Sequence, residues 1–198
     1  NDSEGSYGIR FTNSEEQLLR HFESVCAAAY DADAVRHPSE QRADGVETVR
    51  LHGKQYVDDL LDAGLNLETY EGKRIPTEVT RGSREAKAAF VCALADSEAA
   101  VGERAVKIDT GSYDRLLGTS ILRSEFGVRN QIQTRSRPEK RNHYVLAVTS
   151  DESLAAFEEH IGFTLNRKQS ALTEAVQRTT GDRAILDVLP DFNEWLGR

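Results

Sequence analysis

The sequence predicts a mixed α/β (α+β) fold in which one α/β unit occurs twice. Alternating apolar residues predict strands, and apolar residues spaced three and four apart predict amphipathic helices. The same order of elements then recurs along the chain: Ile9 in the first unit corresponds to Val106 in the second, at an offset of 97 residues. The glycine after the last helix of each unit, Gly64 and Gly162, repeats at nearly the same offset. A tandem duplication explains this common order and period.

The first unit begins with a strand whose apolar side chains alternate. Ser14 and Gln17 have the spacing of a capping box for the helix that follows. The last helix of the unit ends at Gly64, in the position that favours a left-handed glycine. The predicted elements are a strand at 6–12, a helix at 15–30, strands at 34–37 and 46–52, and a helix at 54–63.

The second unit begins with an additional alanine-rich helix that Ser83 caps. The elements after it are a strand at 104–110, a helix at 112–126, hairpin strands at 128–135 and 143–149, and a helix at 151–161. The predicted organisation is a first repeat at 1–70, a linker at 71–82, a second repeat at 83–164 and a helical extension at 165–198. Because the first repeat lacks the leading helix, we expect it to continue before Asn1.

Composition points to an acidic protein of the cytoplasm. The 198 residues carry 33 acids and 25 bases, a net charge of −8, which resembles proteins from halophilic, haloarchaeal-like cytoplasms. The chain has no Met and begins with Asn1, so we expect it to be a piece of a longer polypeptide. No apolar run is long enough for a membrane span, so we expect no membrane partner. Cys26 and Cys92 lie in apolar helical stretches and are predicted to be core thiols, as in a reducing cytoplasm.

The net charge by itself argues against nucleic-acid binding, but the distribution of bases argues for it. Residues 123–141 contain six bases and two acids. The bases are Arg123, Arg129, Arg135, Arg137, Lys140 and Arg141. Such a cluster on a hairpin is typical of phosphate contacts. An ordinary solvated hairpin with surface arginines remains the alternative.

Two acids stand at the unfavourable end of the alanine-rich helix. Asp96 and Glu98 lie near its C-terminus, where the helix macrodipole disfavours negative charge. Small residues four apart, such as Ala89 and Ala93, would allow a twin helix to approach closely. Two such helix ends side by side would form a negative pocket that suits Mg²⁺. Acids exposed to water at a frayed helix end are the alternative.

The stretch FVCALADSEAAV at 90–101 resembles the second signature of the LAGLIDADG homing endonucleases, often written like FLAGLFDAEGSV. The resemblance implies a duplicated αββαββα-type fold, with two halves related by a pseudo-twofold axis and saddle-shaped antiparallel sheets that straddle DNA. It implies that Glu98 holds the catalytic Mg²⁺ and that Asp96 is the structural acid two residues earlier. Glycine follows the acid in the family, whereas Ala99 and Ala100 follow it here, so the turn that leaves the helix differs.

The first signature is absent or nearly so. The segment 2–6 is either the tail of that signature, which would make Glu4 the partner acid, or a loop after a signature lost from this chain. Lys140 is a further candidate, as a basic group near the scissile phosphate or as a plain phosphate contact. The expected DNA-binding residues are Arg10, Arg50, Arg123, Arg129, Gln133, Arg135, Arg137 and Arg141.

We expect a site-specific, Mg²⁺-dependent double-strand endonuclease domain of an intein, of reduced activity, that acts as a monomer. The alternative is a catalytically dead LAGLIDADG-type protein that binds DNA or persists as an inert insert. The tail after Gly162 resembles the stretch that leads back to an intein splicing domain, the expected partner besides double-stranded DNA. No Cys or Ser nucleophile opens the chain and no His-Asn pair closes it, so we expect no splicing chemistry here. A Glu98 side chain exposed on the convex side, or buried in an ion pair with a local arginine, would contradict its role as a metal ligand.

Overall fold

The structure, a computed structural model, describes residues 7–38, 45–66, 73–137 and 140–187. The chain divides into two compact units. Unit 1 comprises Asn1–Asn66 with Pro76–Glu78, and unit 2 comprises Leu67–Ile75 with Val79–Arg198. A short helix at Thr77–Arg81, α3, lies where the chain passes between them.

Unit 1 contains a three-stranded antiparallel sheet with helices on one face. Its elements are β1 (Gly8–Asn13), α1 (Glu16–Tyr30), β2 (Val35–Pro38), β3 (Glu47–His52) and α2 (Lys54–Asp62). The strand order is β1-β3-β2. Phe11 of β1 stacks on Phe22 of α1 with ring centroids 5.2 Å apart, and Val49 and Leu51 of β3 are buried on the same face.

The ends of the unit 1 helices differ in how well the sequence predicted them. The predicted capping box of Ser14 and Gln17 was wrong, because Glu15 is the N-cap residue of α1 and its side chain makes no cap bond. The Oδ1 atom of Asn13 instead accepts a hydrogen bond from the Glu15 amide at 2.9 Å. The glycine stop was correct, since Gly64 has φ +89°. A Cβ there would lie 2.8 Å from the Thr77 amide nitrogen, so both conformation and space require glycine.

Unit 2 contains a four-stranded antiparallel sheet. Its elements are α4 (Arg84–Glu98), β4 (Ala99–Gly102), β5 (Ala105–Thr110), α5 (Tyr113–Ser124), β6 (Gln131–Arg137), β7 (Lys140–Val148), α6 (Asp151–His160) and α7 (Asn166–Asp187). The strand order is β4-β5-β7-β6. Its last three strands repeat the order of unit 1, with β5, β7 and β6 in the places of β1, β3 and β2. The predicted α/β fold with antiparallel sheets is therefore confirmed, whereas the repeat boundaries stay a prediction.

The core of unit 2 lies between its sheet and helices α4, α6 and α7. Ile108 and Leu146 on the sheet pack with Val91 of α4, Phe157 of α6 and Leu172 of α7, all at most 2% exposed. This packing fixes α4 against the sheet and so determines the surroundings of the acids at its end.

Strand β4 is an element that the sequence did not predict. The chain leaves α4 at Glu98 and enters β4 directly, with Ala99 paired to Ile108 and buried. The replacement of the family glycine by Ala99 therefore coincides with a helix that continues into a strand. Ser83 caps α4 as predicted, since its hydroxyl accepts from the Ala86 amide.

Both cysteines are free thiols, Cys26 buried and Cys92 partly buried. They contribute to packing, as predicted. Within the described ranges, no helix has the length and apolar character to span a bilayer.

Candidate nucleic-acid interface and the signature acids

The sheet of unit 1 exposes a basic face. Side chains alternate along β1 and β3, so Arg10 and Arg50 point away from the face that packs on α1. The two arginines stand directly opposite each other in register. Like charges in this position destabilise a sheet. A pair that is unfavourable for folding is expected where a ligand supplies negative charge.

This outer face contains no acid among the described residues. Its members are Gly8, Arg10, Thr12, Val35, His37, Thr48, Arg50 and His52. Neither Arg10 nor Arg50 forms a hydrogen bond or ion pair with the described part of the chain. The charge of both guanidinium groups is therefore available to a ligand.

Three acids of unit 1 bind Arg36 on the opposite side of the sheet. Its guanidinium binds the carboxylates of Glu16, Glu23 and Glu47. Hydrogen bonds from Arg36 and then Arg20 lower the pKa of Glu16 to about 2. This arrangement keeps negative charge away from Arg10 and Arg50.

The outer face of the unit 2 sheet is polar, and an acid on it offsets part of its positive charge. Asp109 on β5 lies 3.8 Å from an Arg135 nitrogen and 3.3 Å from His143 Nδ1. Gln133 on β6 is exposed. The structure therefore brings Gln133 and Arg135 to one face, together with Asp109 and His143, which the sequence did not indicate.

The assignment of Arg123 to DNA binding was wrong. Its side chain is fully buried, with the guanidinium 5.0 Å from the Phe157 ring centroid. Only a long bond of 3.4 Å joins its Nη1 to Asn130 Oδ1, and its Nε and Nη2 have no partner in the described part of the chain. Burial lowers the pKa of Arg123 to about 9. Arg123 lies seven residues after buried Leu116, which places both on the apolar stripe of α5. This spacing could have indicated from the sequence that Arg123 is buried.

The remaining basic candidates are less closely defined. Arg129 precedes β6 rather than lying in the sheet, and it pairs with exposed Glu152 at 3.1 Å. Arg137 belongs to β6, and Lys140 and Arg141 belong to β7, but their side chains lie outside the described residues. Glu4 also lies outside the described residues.

Asp96 makes a buried structural contact. Its carboxylate is 4% exposed and accepts hydrogen bonds from the amides of Thr164 at 2.9 Å and Leu165 at 3.1 Å. Those amides precede the first turn of α7, so Asp96 provides negative charge at a helix N-terminus. The acid that is unfavourable for α4 therefore stabilises α7.

Lys168 of α7 makes the reciprocal contact, from α7 to the end of α4. Its ammonium donates to the carbonyl oxygens of Ala95 at 3.0 Å and Asp96 at 2.6 Å, at the C-terminal end of α4. Positive charge there is favourable to the helix. The ends of α4 and α7 thus stabilise each other, a contact between residues too distant in sequence for periodicity to indicate.

Glu98 is the last residue of α4, and its carboxylate is not free. Arg115 Nη2 of α5 donates to Glu98 Oε2 at 2.8 Å and to Thr110 Oγ1 at 2.7 Å. The side chains of Arg115 and Glu98 are 14% and 30% exposed. Glu98 therefore forms an ion pair with a local arginine, but a partly exposed pair rather than a buried one, and its role as a metal ligand stays a prediction.

The described residues as they stand do not fit a divalent metal. They contain no group of three His, Cys, Asp or Glu side chains able to hold one. Mg²⁺ prefers carboxylate and water oxygens, and a guanidinium already occupies the Glu98 carboxylate. Exposed Ala89, Ala93 and Ser97 leave one side of α4 open among the described residues.

Comparisons with known proteins agree with this fold. The family model for a LAGLIDADG-like domain matches residues 85–162. A relative in Methanocaldococcus jannaschii, replication factor C small subunit, is 21% identical over 170 residues. The match covers 85% of this chain and 9% of that protein, so the chain spans about a tenth of the relative.

Two solved structures show the same fold at low identity. The homing endonuclease I-DmoI in complex with DNA and Ca matches with a TM-score of 0.59 and 16% identity, over 85% of this chain and 83% of that one. I-DmoI has also been solved with DNA and Mn, and a single-substitution variant of it with its target DNA in the presence of Mg. Full-length DUF199/WhiA from Thermatoga maritima matches with a TM-score of 0.58 and 13% identity, over 96% of this chain and 56% of that one.

These matches and the sheet topology lead to one conclusion: residues 85–162 match a LAGLIDADG-like domain, and the chain has the fold of the homing endonuclease I-DmoI.

Proposed function

We propose that this chain binds double-stranded DNA through the outer faces of its two sheets. The observation that carries the proposal is the pair Arg10 and Arg50, opposed in register on a face without acids among the described residues. In a chain of net charge −8, two unpaired arginines held side by side are suited to a polyanion.

The chemistry of the two faces differs and suggests a division of roles. Arg10 and Arg50 supply contacts to phosphates, which give affinity that depends strongly on salt. Gln133 on the unit 2 face carries an amide that can donate to and accept from an adenine edge. Arg135, 3.8 Å from Asp109, carries a guanidinium that can donate two hydrogen bonds to a guanine edge. Sequence specificity is therefore assigned to the unit 2 face.

The test is duplex DNA binding by the parent chain and by Arg10→Ala/Arg50→Ala. The target is first selected from a random duplex library, and affinity is then measured by fluorescence anisotropy. The matched control is Arg20→Ala/Lys54→Ala, which removes the same charge from the exposed helices of unit 1. We expect the sheet variant to lose at least about tenfold in affinity and the control to lose little. Equal losses of affinity in the two variants would show that the net charge of the chain, and not the unit 1 sheet face, determines DNA binding.

Mg²⁺-dependent cleavage of double-stranded DNA is the second candidate. It is supported by Glu98, which stands at the signature position at the end of α4 and is 30% exposed. The ion pair with Arg115 argues against it. Incubation of the selected duplex with Mg²⁺, with Glu98→Gln as the control, decides between cleavage and binding alone.

An intein context is the broader proposal. The matched segment is only 9% of replication factor C small subunit, so that protein is more than ten times as long as the segment. An inserted domain of a long polypeptide would have this relation to its host. In that context the splicing domain is the expected partner, and the chain acts as a monomer in the cytoplasm. Expression of the full parent polypeptide, with analysis for a ligated product, tests this.

A further inference from the structure

Arg115 and Glu98 form a partly buried ion pair between two elements of unit 2. Arg115 lies in the first turn of α5, and Glu98 ends α4. The Nη2 atom of Arg115 bridges Glu98 Oε2 at 2.8 Å and Thr110 Oγ1 at 2.7 Å. Since Thr110 is 4% exposed, the guanidinium is held from the protein interior as well as by the carboxylate.

A guanidinium in this position competes with a metal ion for the same oxygens. Arg115 belongs to the same chain and is anchored by packed elements, so its effective concentration at Glu98 is high and constant. Mg²⁺ gives up its waters reluctantly and needs room for those that it keeps. The Arg115 guanidinium lies 2.8 Å from Glu98 Oε2, so a metal ion at that oxygen would have to displace it. Two cations that require one carboxylate lower each other's affinity by the same factor.

We propose that Arg115 is the permanent counter-ion of Glu98 and excludes divalent cations from this carboxylate. The positive charge that the family resemblance assigns to a metal is supplied here by a side chain. This inference is independent of DNA binding by the sheet faces, because neither residue belongs to them.

The test is Mn²⁺ binding to the 198-residue chain without DNA, measured from the electron paramagnetic resonance signal of free Mn²⁺. Four proteins are compared: the parent, Arg115→Met, Glu98→Gln and the double variant. We expect the parent and Glu98→Gln to bind Mn²⁺ equally weakly. Arg115→Met should bind about tenfold more tightly, since the competing charge is gone, and the double variant should lose this gain.

Controls separate a local effect from a change of net charge or fold. Arg104→Met removes an exposed arginine of the same unit and should leave Mn²⁺ affinity unchanged. Circular dichroism verifies folding of each variant. If Arg115→Met does not fold, Arg115→Gln replaces it, because glutamine also removes the positive charge beside Glu98. We expect a gain of about tenfold in that case as well.

Each remaining outcome overturns the proposal. A parent chain that binds Mn²⁺ in a Glu98-dependent manner, with affinity unchanged by Arg115→Met, shows that the arginine does not exclude the metal. A folded Arg115→Met or Arg115→Gln variant without any gain shows the same. A loss of DNA binding in Arg10→Ala/Arg50→Ala has no bearing on these results, so the two proposals fail separately.

Discussion

Replacement of Asp96 by alanine should destabilise unit 2 by about 3 kcal/mol, because two backbone amides lose their acceptor. The Leu165 amide is buried, and a buried donor left unsatisfied costs about 1–3 kcal/mol. The Thr164 amide is only partly buried and loses less. A chain of this size changes its melting temperature by about 2–4 °C per kcal/mol, so we expect a decrease of about 6–12 °C.

Thermal and urea unfolding monitored by circular dichroism measure this effect. Asp96→Asn keeps one acceptor oxygen and should lose about half as much stability. Ser97→Ala is the matched control, since its exposed hydroxyl bonds only to the Ala93 carbonyl within α4. The control should change stability by less than about 0.5 kcal/mol. An Asp96→Ala variant as stable as the control would refute the mutual stabilisation of α4 and α7.

Three further predictions concern stability. Arg123→Met should leave stability at pH 7 unchanged or raise it by about 1–3 kcal/mol, because it removes a buried charge without an acidic partner among the described residues. Because burial lowers the pKa of Arg123 to about 9, the unfolded parent binds more protons than the folded parent above that pH, and the parent gains stability as pH rises. The stability advantage of Arg123→Met should therefore shrink as pH rises through 9. Urea unfolding of both proteins from about pH 7 to about pH 10 measures this, and a difference in stability that stays constant with pH contradicts it. Glu16→Gln should make the stability of unit 1 less sensitive to acid. The lowered pKa of Glu16 contributes stability that is present above pH 4.5, the ordinary pKa of a glutamate, and is lost as pH falls toward about 2. Acid unfolding curves of parent and variant that coincide would exclude this. Gly64→Ala should lower the melting temperature and reduce the free energy of unfolding by about 1–3 kcal/mol, because alanine is strained at φ +89°. An unchanged melting temperature would show that the turn after α2 adapts to alanine without strain.

The sequence predicted the order of elements because the relevant signals are local. Alternation around Ile9 and Val106 and the glycines that end α2 and α6 need no knowledge of tertiary packing. Strand β4 was missed because Ala99–Gly102 is short and has no alternation of its own, so only its pairing with β5 defines it.

The site was less predictable, because its contacts join residues distant in sequence. The signature indicated Glu98 and Asp96, but the partners that decide their roles, Arg115 and the Thr164 and Leu165 amides, come from other elements. Arg123 was mistaken for a surface residue because the cluster of bases was counted without regard to the helical stripe on which it lies.

The salt dependence of duplex DNA binding tests the central claim most directly. Each lost phosphate contact reduces the slope of log affinity against log salt by about 0.9. The account predicts a slope reduced by nearly two in Arg10→Ala/Arg50→Ala, and an unchanged slope in Arg20→Ala/Lys54→Ala. A sheet variant that keeps both the affinity and the salt slope of the parent would contradict the assignment of the unit 1 sheet face to DNA.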